Sequence, residues 1–130
     1  QIWAVGARVT VITEGDDVVL VDTGSKGSVG PIISGLDSLG IAPEPVGLIV
    51  LTHYHPDHSG GLSGLAPVTS AKVAAHRSEA DVLSGSASAP SPFRNGLVGK
   101  LAGPVINRFY GEAVEIDLLL DDGDRRSVRW

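Results

Sequence analysis

Two short apolar segments near the start of the chain are separated by a polar turn. Residues 9–13 are rich in β-branched side chains, and residues 18–21 form a short apolar run. The four residues between them are Glu-Gly-Asp-Asp, a composition typical of tight turns. The pattern predicts a β-hairpin. Its second strand should end at residues 22–24, Asp-Thr-Gly, a polar stop that includes a glycine able to adopt positive φ.

A helix and a buried strand are predicted after the hairpin. Between residues 30 and 39 the apolar positions recur at helical spacing, at Ile32, Ile33, Leu36 and Leu39. Residues 47–51 are then a continuous apolar run, which is typical of a strand buried on both faces. Strand, helix and second buried strand together predict a βαβ unit, and therefore an α/β fold.

The remainder of the chain has shorter periodic signals. We predict a short helix over residues 57–65, a strand over 72–75, helices over 77–83 and 93–101, a flexible loop over 84–92, and strands over 113–120 and 127–130. Asp121, Asp122 and Asp124 are predicted to form a turn, because the ligand spacing of a calcium-binding loop is missing. The sequence indicates no internal repeat and no second domain.

Composition narrows the classes of function. Of the 130 residues, 42% are hydrophobic and 19% are charged, which is the balance of a globular domain. A net charge of −5 argues against general nucleic-acid binding and against binding to an anionic membrane. No apolar run approaches the roughly 20 residues of a membrane-spanning helix, and no signal-peptide pattern is visible, so a cytoplasmic location is expected. The chain has no cysteine, so any metal must be held by His nitrogens and carboxylate oxygens.

The candidate chemistry is concentrated directly after the apolar run 47–51. His53, His55 and His58 are three of the four histidines in the chain, and Asp57 lies among them. In an extended backbone, residues i and i+2 point to the same side, so His53 and His55 can meet one ion. Pro56 then turns the chain, which allows Asp57 and His58 to approach a neighbouring point. The spacing predicts a site for one or two metal ions, with Zn, Fe and Mn all compatible.

The surroundings of the cluster support this interpretation. Asp22 ends the neighbouring strand and is expected to accept a hydrogen bond from a ligand imidazole or a loop amide. The cluster also lies at the carboxyl ends of strands, where α/β sheets bind their ligands. The fourth histidine, His76, is expected to start a helix near Glu79. The sequence contains neither a phosphate-binding glycine loop nor a serine nucleophile elbow that would compete with metal chemistry.

Two motifs resemble those of a known family. Residues 52–61, Thr-His-Tyr-His-Pro-Asp-His-Ser-Gly-Gly, resemble the T-H-x-H-x-D-H-x-G-G signature of the metallo-β-lactamase superfamily. Residues 21–24, Val-Asp-Thr-Gly, resemble the first motif of that family in type and spacing. The resemblance covers roughly residues 5–124. It implies half of an αββα sandwich, which is one mixed sheet with helices on one face.

The same resemblance implies roles for the site residues. His53 and His55 would bind a first metal ion, and Asp57 and His58 would bind a second. Asp57 would also orient a metal-bound hydroxide, which makes it the candidate catalytic residue, and Asp22 would be a support residue of the first motif. Zinc is expected, as one or two ions, with iron or manganese as alternatives. The implied reaction is hydrolysis of a small-molecule ester, thioester, lactone, β-lactam or phosphodiester.

One part of the family pattern is missing from the sequence. The family has a further His in a P-G-H segment, a bridging Asp and another His, whereas this chain ends at Trp130. We therefore interpret residues 1–130 as a single half-domain that stops before the third ligand motif. The apolar face that a second half would cover predicts a homodimer, with or without exchanged segments. The alternative function is a catalytically inactive half-domain that binds metal weakly and serves as an assembly or interaction module.

Overall fold

The computed structural model describes residues 1–89 and 111–125 of the chain. The strands are β1 (Ile2–Trp3), β2 (Arg8–Glu14), β3 (Asp17–Val21), β4 (Val46–Leu51), β5 (Lys72–His76) and β6 (Leu118–Leu120). The helices are α1 (Val29–Ser38), α2 (Pro56–Ser59), α3 (Leu62–Thr69) and α4 (Arg77–Leu83). These strands form one sheet in the order β1-β2-β3-β4-β5-β6. The first three are antiparallel neighbours and the last four are parallel neighbours, so the sheet is mixed.

The hairpin and the βαβ unit predicted from the sequence are both confirmed. Strands β2 and β3 are antiparallel, with Glu14 opposite Asp17. Gly15 has a φ of 61°, which only glycine adopts without steric cost, and this lets the chain reverse in two residues. Helix α1 then connects β3 to β4, and these two strands are parallel neighbours.

The main hydrophobic core lies between the sheet and the helices on one of its faces. Side chains of the central strands, such as Leu20, Ile49 and Val73, pack in one cluster with Leu36 of α1 and Leu65 of α3. All five are at most 2% exposed. Helix α4 contributes to the same cluster, so three helices cover the same face of the sheet. This confirms the α/β fold with one mixed sheet and helices on one face.

A second, smaller apolar cluster lies on the opposite face of the sheet. Its centre consists of Val19, Leu48 and Ala74, which are 8%, 5% and 1% exposed. The cluster contains strand residues and, among the described residues, no helix residue. Ile12 pairs with Val19 across the hairpin and is 51% exposed, which places an exposed apolar side chain beside this cluster.

Two predicted elements differ from the structure. The single helix predicted over 57–65 is wrong, since α2 and α3 are separate helices divided by Gly60 and Gly61. The strand predicted over 113–120 is limited to Leu118–Leu120. Just before it, Asp117 contacts Val73 of β5 twice: its amide donates to the Val73 carbonyl at 2.9 Å, and its carboxylate accepts from the Val73 amide at 2.7 Å. The Val114 amide donates to the Leu83 carbonyl, so the earlier part of this segment lies against the end of α4. The helix predicted over 93–101 and the strand predicted over 127–130 lie outside the described residues. No helix within the described ranges is long and apolar enough to cross a membrane.

An exposed ion pair links the start of α4 to the turn after β6. Arg77 donates hydrogen bonds from Nε and Nη2 to the two carboxylate oxygens of Asp121, at 2.9 and 2.8 Å. The hydrogen bond to Asp121 raises the pKa of the Arg77 guanidinium above its ordinary value. The predicted turn is also confirmed, since the amide of Asp124 donates to the carbonyl of Asp121.

Candidate metal centre

The histidine cluster lies where β4 ends and α2 begins. Strand β4 ends at Leu51, and His55 is the N-cap of α2 with an extended backbone, at φ −59° and ψ 144°. Pro56 enforces this turn, because the ring of a proline disfavours the helical conformation in the residue before it and suits the first helical position. As a result Asp57 and His58 lie in the first turn of α2, on the same side of the sheet edge as His53.

The three imidazoles of the cluster are close together. The ring centroids of His53 and His58 are 4.1 Å apart, and those of His53 and His55 are 4.7 Å apart. The side chains of Asp57 and His58 are also adjacent, since Asp57 Oδ2 lies 3.5 Å from His58 Nε2. The structure therefore brings together all four residues that the sequence identified as candidate ligands.

Asp22 supports this cluster from the end of β3. Its carboxylate accepts hydrogen bonds from the backbone amide of Thr52 at 2.9 Å and from the Thr52 hydroxyl at 2.8 Å. The same carboxylate lies 2.8 Å from Nδ1 of His58. Asp22 is 6% exposed and has a φ of 66°, a left-handed conformation that Asp and Asn tolerate better than other non-glycine residues. The contact to His58 agrees with the supporting role predicted for Asp22.

These hydrogen bonds fix the tautomers of two histidines. A carboxylate only accepts, so the proton shared between Asp22 and His58 belongs to His58 Nδ1. The hydroxyl of Thr52 donates its only proton to Asp22, so it must accept from His53 Nδ1 at 3.0 Å. In the neutral form of both imidazoles, the form that binds a metal ion, the lone pair is therefore on Nε2. One buried carboxylate thus prepares two histidines to bind a cation, a role that metal sites commonly assign to such partners.

The donor atoms fit a divalent cation in part. Two ligand atoms that are each about 2.1 Å from a tetrahedral zinc ion lie about 3.4 Å apart. The distance of 3.5 Å between His58 Nε2 and Asp57 Oδ2 is close to that value. Within residues 1–89 and 111–125, however, no three His, Asp or Glu side chains surround one point that a metal ion could occupy. The donor atoms are therefore of the right chemical type, and two of them lie at a suitable distance, but the described residues do not complete the coordination of an ion.

The two glycines after the histidines are required by close backbone packing. A side chain at Gly60 would approach the Pro56 carbonyl oxygen to 2.4 Å, and one at Gly61 would approach the Thr23 carbonyl oxygen to 2.3 Å. The backbone amide and hydroxyl of Thr23 both donate to the His58 carbonyl, at 2.7 and 2.9 Å. The loop after β3 and the loop after β4 are therefore locked together beneath the cluster.

Three further residues around the cluster were not identified from the sequence. Thr52 connects Asp22 to His53 as described above. Glu79 in the first turn of α4 accepts a hydrogen bond from the Tyr54 amide at 3.1 Å, and the Ser59 hydroxyl donates to the Tyr54 carbonyl at 2.8 Å. Both contacts hold the backbone between His53 and His55. Thr52 and Ser59 lie within the motif of residues 52–61, which is the signal that the sequence offered for them, whereas Glu79 reaches the turn only through the tertiary fold.

The fourth histidine has a local structural role, as predicted. His76 is the N-cap of α4, and its Nδ1 accepts a hydrogen bond from the Ser78 amide at 3.2 Å. It lies beyond the carboxyl end of β5 and is not in ring contact with the cluster among the described residues.

A cavity opens beside Asp57. It has a volume of about 410 Å³ and is lined by Val5, Ser25, Lys26, Pro56 and Asp57. Cavities that bind small molecules typically measure about 300–1,000 Å³, so this one is large enough for a small substrate. The candidate ligands and the cavity therefore meet at the Asp57 side chain, which is 51% exposed.

The fold and the cluster define a class of protein, and sequence comparison identifies the family. The family model of the metallo-β-lactamase superfamily matches residues 3–130. The chain belongs to this superfamily. Its members are metal-dependent hydrolases that bind divalent metal ions, so the chain comes from a hydrolase family.

Individual relatives match parts of the chain. The crystal structure of BJP-1, a subclass B3 metallo-β-lactamase of Bradyrhizobium japonicum, has 27% sequence identity and a TM-score of 0.73, covering 92% of this chain and 41% of that one. Metallo-beta-lactamase domain-containing protein 1 of Mus musculus is 49% identical over 49 residues, 38% of this chain and 18% of the relative. Hydroxyacylglutathione hydrolase of Albidiferax ferrireducens is 40% identical over 47 residues, 36% of this chain and 17% of the relative. The matches thus span less than half of each relative.

The role of Asp22 leads to a test by substitution. Asp22→Asn retains tolerance for the left-handed backbone but places an amide against His58 and Thr52. An amide NH2 facing His58 Nδ1 moves the imidazole proton to Nε2 and removes the lone pair there. We expect zinc affinity to fall about 10- to 100-fold, measured by competition with a fluorescent chelator. Asp17→Asn, at the opposite end of β3, is the matched control and should bind zinc like the wild type. Unchanged affinity in a folded Asp22→Asn variant would contradict the supporting role.

Proposed function

We propose that this chain acts in a metal-dependent hydrolase that cleaves an ester-type bond in a small molecule: an ester, thioester, lactone or phosphodiester. The observation that supports the proposal is the close packing of the His53, His55 and His58 rings, with His58 held by the buried Asp22 carboxylate. Such a group of histidines beside an acidic residue suits cation binding better than any role in packing, since none of its rings is buried and the adjacent Asp57 lines a cavity.

We assign the ligands as two pairs. His53 and His55 hold a first ion, and Asp57 and His58 hold a second. Zinc is the proposed metal, because it binds nitrogen and oxygen donors and because the distance between the Asp57 carboxylate and the His58 imidazole suits its coordination. Iron and manganese bind the same donors and are the alternatives. When bound, such an ion polarises the scissile group and makes a water molecule acidic at neutral pH.

The chain's own residues then position the reactants. The Asp57 carboxylate borders both the histidine cluster and the cavity, so it can accept a hydrogen bond from the attacking water and orient it toward the scissile group. Val5 and Pro56 supply apolar surface on which the substrate displaces solvent. The name of the hydroxyacylglutathione hydrolase among the relatives favours an acyl compound over a phosphodiester. A cytoplasmic location is part of the same proposal.

A substrate panel tests the proposed function. The zinc-loaded protein is assayed on ester, thioester, lactone and phosphodiester substrates, with and without a chelator, and its metal content is measured in parallel. We expect turnover on at least one acyl substrate that chelation abolishes and zinc restores. If the protein binds metal and no substrate shows chelator-sensitive turnover, the hydrolase proposal for this chain fails and the alternative below gains support.

The alternative is a catalytically inactive half-domain, residues 1–130, that binds metal weakly and serves as an assembly or interaction module, with a second copy of the chain as the proposed partner. The observation that favours it is the apolar cluster on the sheet face without described helices, with the exposed Ile12 beside it. A second copy offers the same apolar surface as a cover and forms a self-complementary interface.

Light scattering on the purified 130-residue chain tests the assembly. We expect twice the monomer mass of 13.4 kDa. Ile12→Lys should shift the protein toward the monomer, because it places a charge at the proposed interface. Val68→Lys is the control, since Val68 is 49% exposed on α3, on the helix side of the sheet. A monodisperse monomer at working concentration would exclude the homodimer.

A further inference from the structure

The wall of the cavity is a rigid unit built from two loops. The loop between β1 and β2 lies against the segment that follows β3: the Ser25 amide donates to the Val5 carbonyl at 2.8 Å, and the Val5 amide donates to the Ser28 hydroxyl at 3.0 Å. Gly6 lies so close to this segment that an added Cβ would be 2.6 Å from Ser25 Oγ and 3.6 Å from Asp57 Cβ. The residues that border the cavity are therefore held in place next to Asp57.

The lining of this cavity is chemically asymmetric. Val5, which is 49% exposed, and Pro56 offer apolar surface, whereas Asp57 and Lys26 carry opposite charges. An anionic group entering beside Asp57 would be repelled unless a cation lay near it. Lys26 lines the same cavity and can supply that charge through a long, flexible side chain.

The described ranges contain five Lys and Arg side chains, Arg8, Lys26, Lys72, Arg77 and Arg125, and of these Lys26 alone lines the cavity. Arg8 lies over the ring of Trp3 at 4.1 Å, and Arg77 is paired with Asp121. Lys72 is the first residue of β5, so it lies at the amino end of that strand, whereas the cluster lies at the carboxyl ends of the parallel strands. Lys26 is exposed and forms no ion pair with any residue of the described ranges. Its charge therefore remains available to a ligand in the cavity.

We infer that Lys26 binds a carboxylate of the substrate, and that the substrate class is a carboxylate-bearing ester or thioester whose apolar part rests on Val5 and Pro56. The inference rests on the proposed hydrolase function and specifies its substrate. The carboxylate pairs with the ammonium of Lys26 at the rim of the cavity, while the scissile carbonyl lies at the Asp57 side. Asp57 is thereby next to the scissile carbonyl of the substrate, and Lys26 is next to its carboxylate.

A pair of esters that differ only in charge tests this inference. We compare 4-nitrophenyl hydrogen succinate with its neutral methyl ester on the zinc-loaded chain. The wild type should prefer the anionic ester, and Lys26→Gln should raise KM for that ester on the order of tenfold while leaving the neutral ester unchanged. Lys26→Arg should restore the preference, and added salt should weaken it. Lys72→Gln is the control with the same change in charge and should behave like the wild type.

The outcomes separate this inference from the function on which it rests. Chelator-sensitive turnover with equal effects of Lys26→Gln on both esters would overturn the role of Lys26 and leave the hydrolase proposal intact. If neither ester is hydrolysed, the substrate panel decides about the hydrolase function, and binding decides about Lys26. In a chemical-shift titration of the chain with monomethyl succinate, saturable shifts at Ser25, Lys26 and Gly27 that disappear in Lys26→Gln would support the anion site. Shifts that persist in the variant would overturn it.

Discussion

Replacing His53 or His55 by alanine is expected to lower chelator-sensitive kcat/KM by about 1,000-fold or more. Each substitution removes one imidazole from the pair assigned to the first ion, and loss of a Lewis acid costs several kcal/mol of transition-state stabilisation. His53 is half-buried and His55 is exposed, so the metal-free fold should keep most of its stability. The measurements are steady-state kinetics on the best substrate of the panel and metal content by mass spectrometry.

The fourth histidine provides the control for this experiment. His76→Ala removes an imidazole from the start of α4, where it caps the helix. It should cost about 1 kcal/mol of stability and leave zinc content and kcat/KM within about twofold of the wild type. Full activity in His53→Ala and His55→Ala would contradict the assigned ligands, as would an equally large loss in His76→Ala.

Asp57→Asn is expected to reduce kcat by about 100- to 10,000-fold. The amide has nearly the same shape as the carboxylate, but it cannot accept a proton and orients a water molecule less strongly. Since the Asp57 side chain is 51% exposed and makes no hydrogen bond within residues 1–89 and 111–125, the free energy of unfolding should change little. Kinetics combined with zinc content distinguish a defect in positioning from simple loss of metal.

Asp81→Asn is the matched control for Asp57→Asn. Asp81 is exposed on α4 and lies outside the cavity lining and the cluster. It should retain wild-type kcat. If the Asp57→Asn variant keeps both its zinc content and its kcat, Asp57 does not take part in the reaction, and it is at most a metal ligand that the protein can do without.

The elements predicted correctly from sequence are those with strong local patterns. The hairpin has β-branched strands around Gly15, and the strand and helix that lead to the cluster have clear periodicity. The proximity of His53 and His55 also follows from local geometry, because residues two apart in an extended chain share a side. Asp22 could be placed near the cluster because β3 and β4 are parallel neighbours, which brings their carboxyl ends together.

The features that sequence patterns did not predict depend on tertiary contacts. At the break between α2 and α3, the Gly61 amide donates to the carbonyl of Gly24 in the loop after β3, and this partner is far away in sequence. The early part of the last predicted strand lies against the end of α4, where the Val114 amide donates to the Leu83 carbonyl. Periodicity describes one element at a time, so it contains no signal for such contacts between distant segments.

The same reason explains the limits of the site prediction. Asp22 forms a hydrogen bond with His58 directly and is linked to His53 through the Thr52 hydroxyl. These contacts depend on how the side chains at the ends of two strands are oriented. The contact between Glu79 and the Tyr54 amide joins residues 25 positions apart. Residue types and spacing identified the candidate ligands, whereas the hydrogen bonds that orient them became apparent only from the fold.

Anomalous X-ray diffraction at the zinc edge, from crystals grown with zinc, tests the central claim most directly. We predict an anomalous peak within about 2.0–2.2 Å of Nε2 of His58 and of a carboxylate oxygen of Asp57, or of Nε2 of His53 with an imidazole nitrogen of His55, or at both positions. Well-ordered imidazoles and a well-ordered Asp57 carboxylate with no anomalous peak among them would contradict the claim that these residues bind metal.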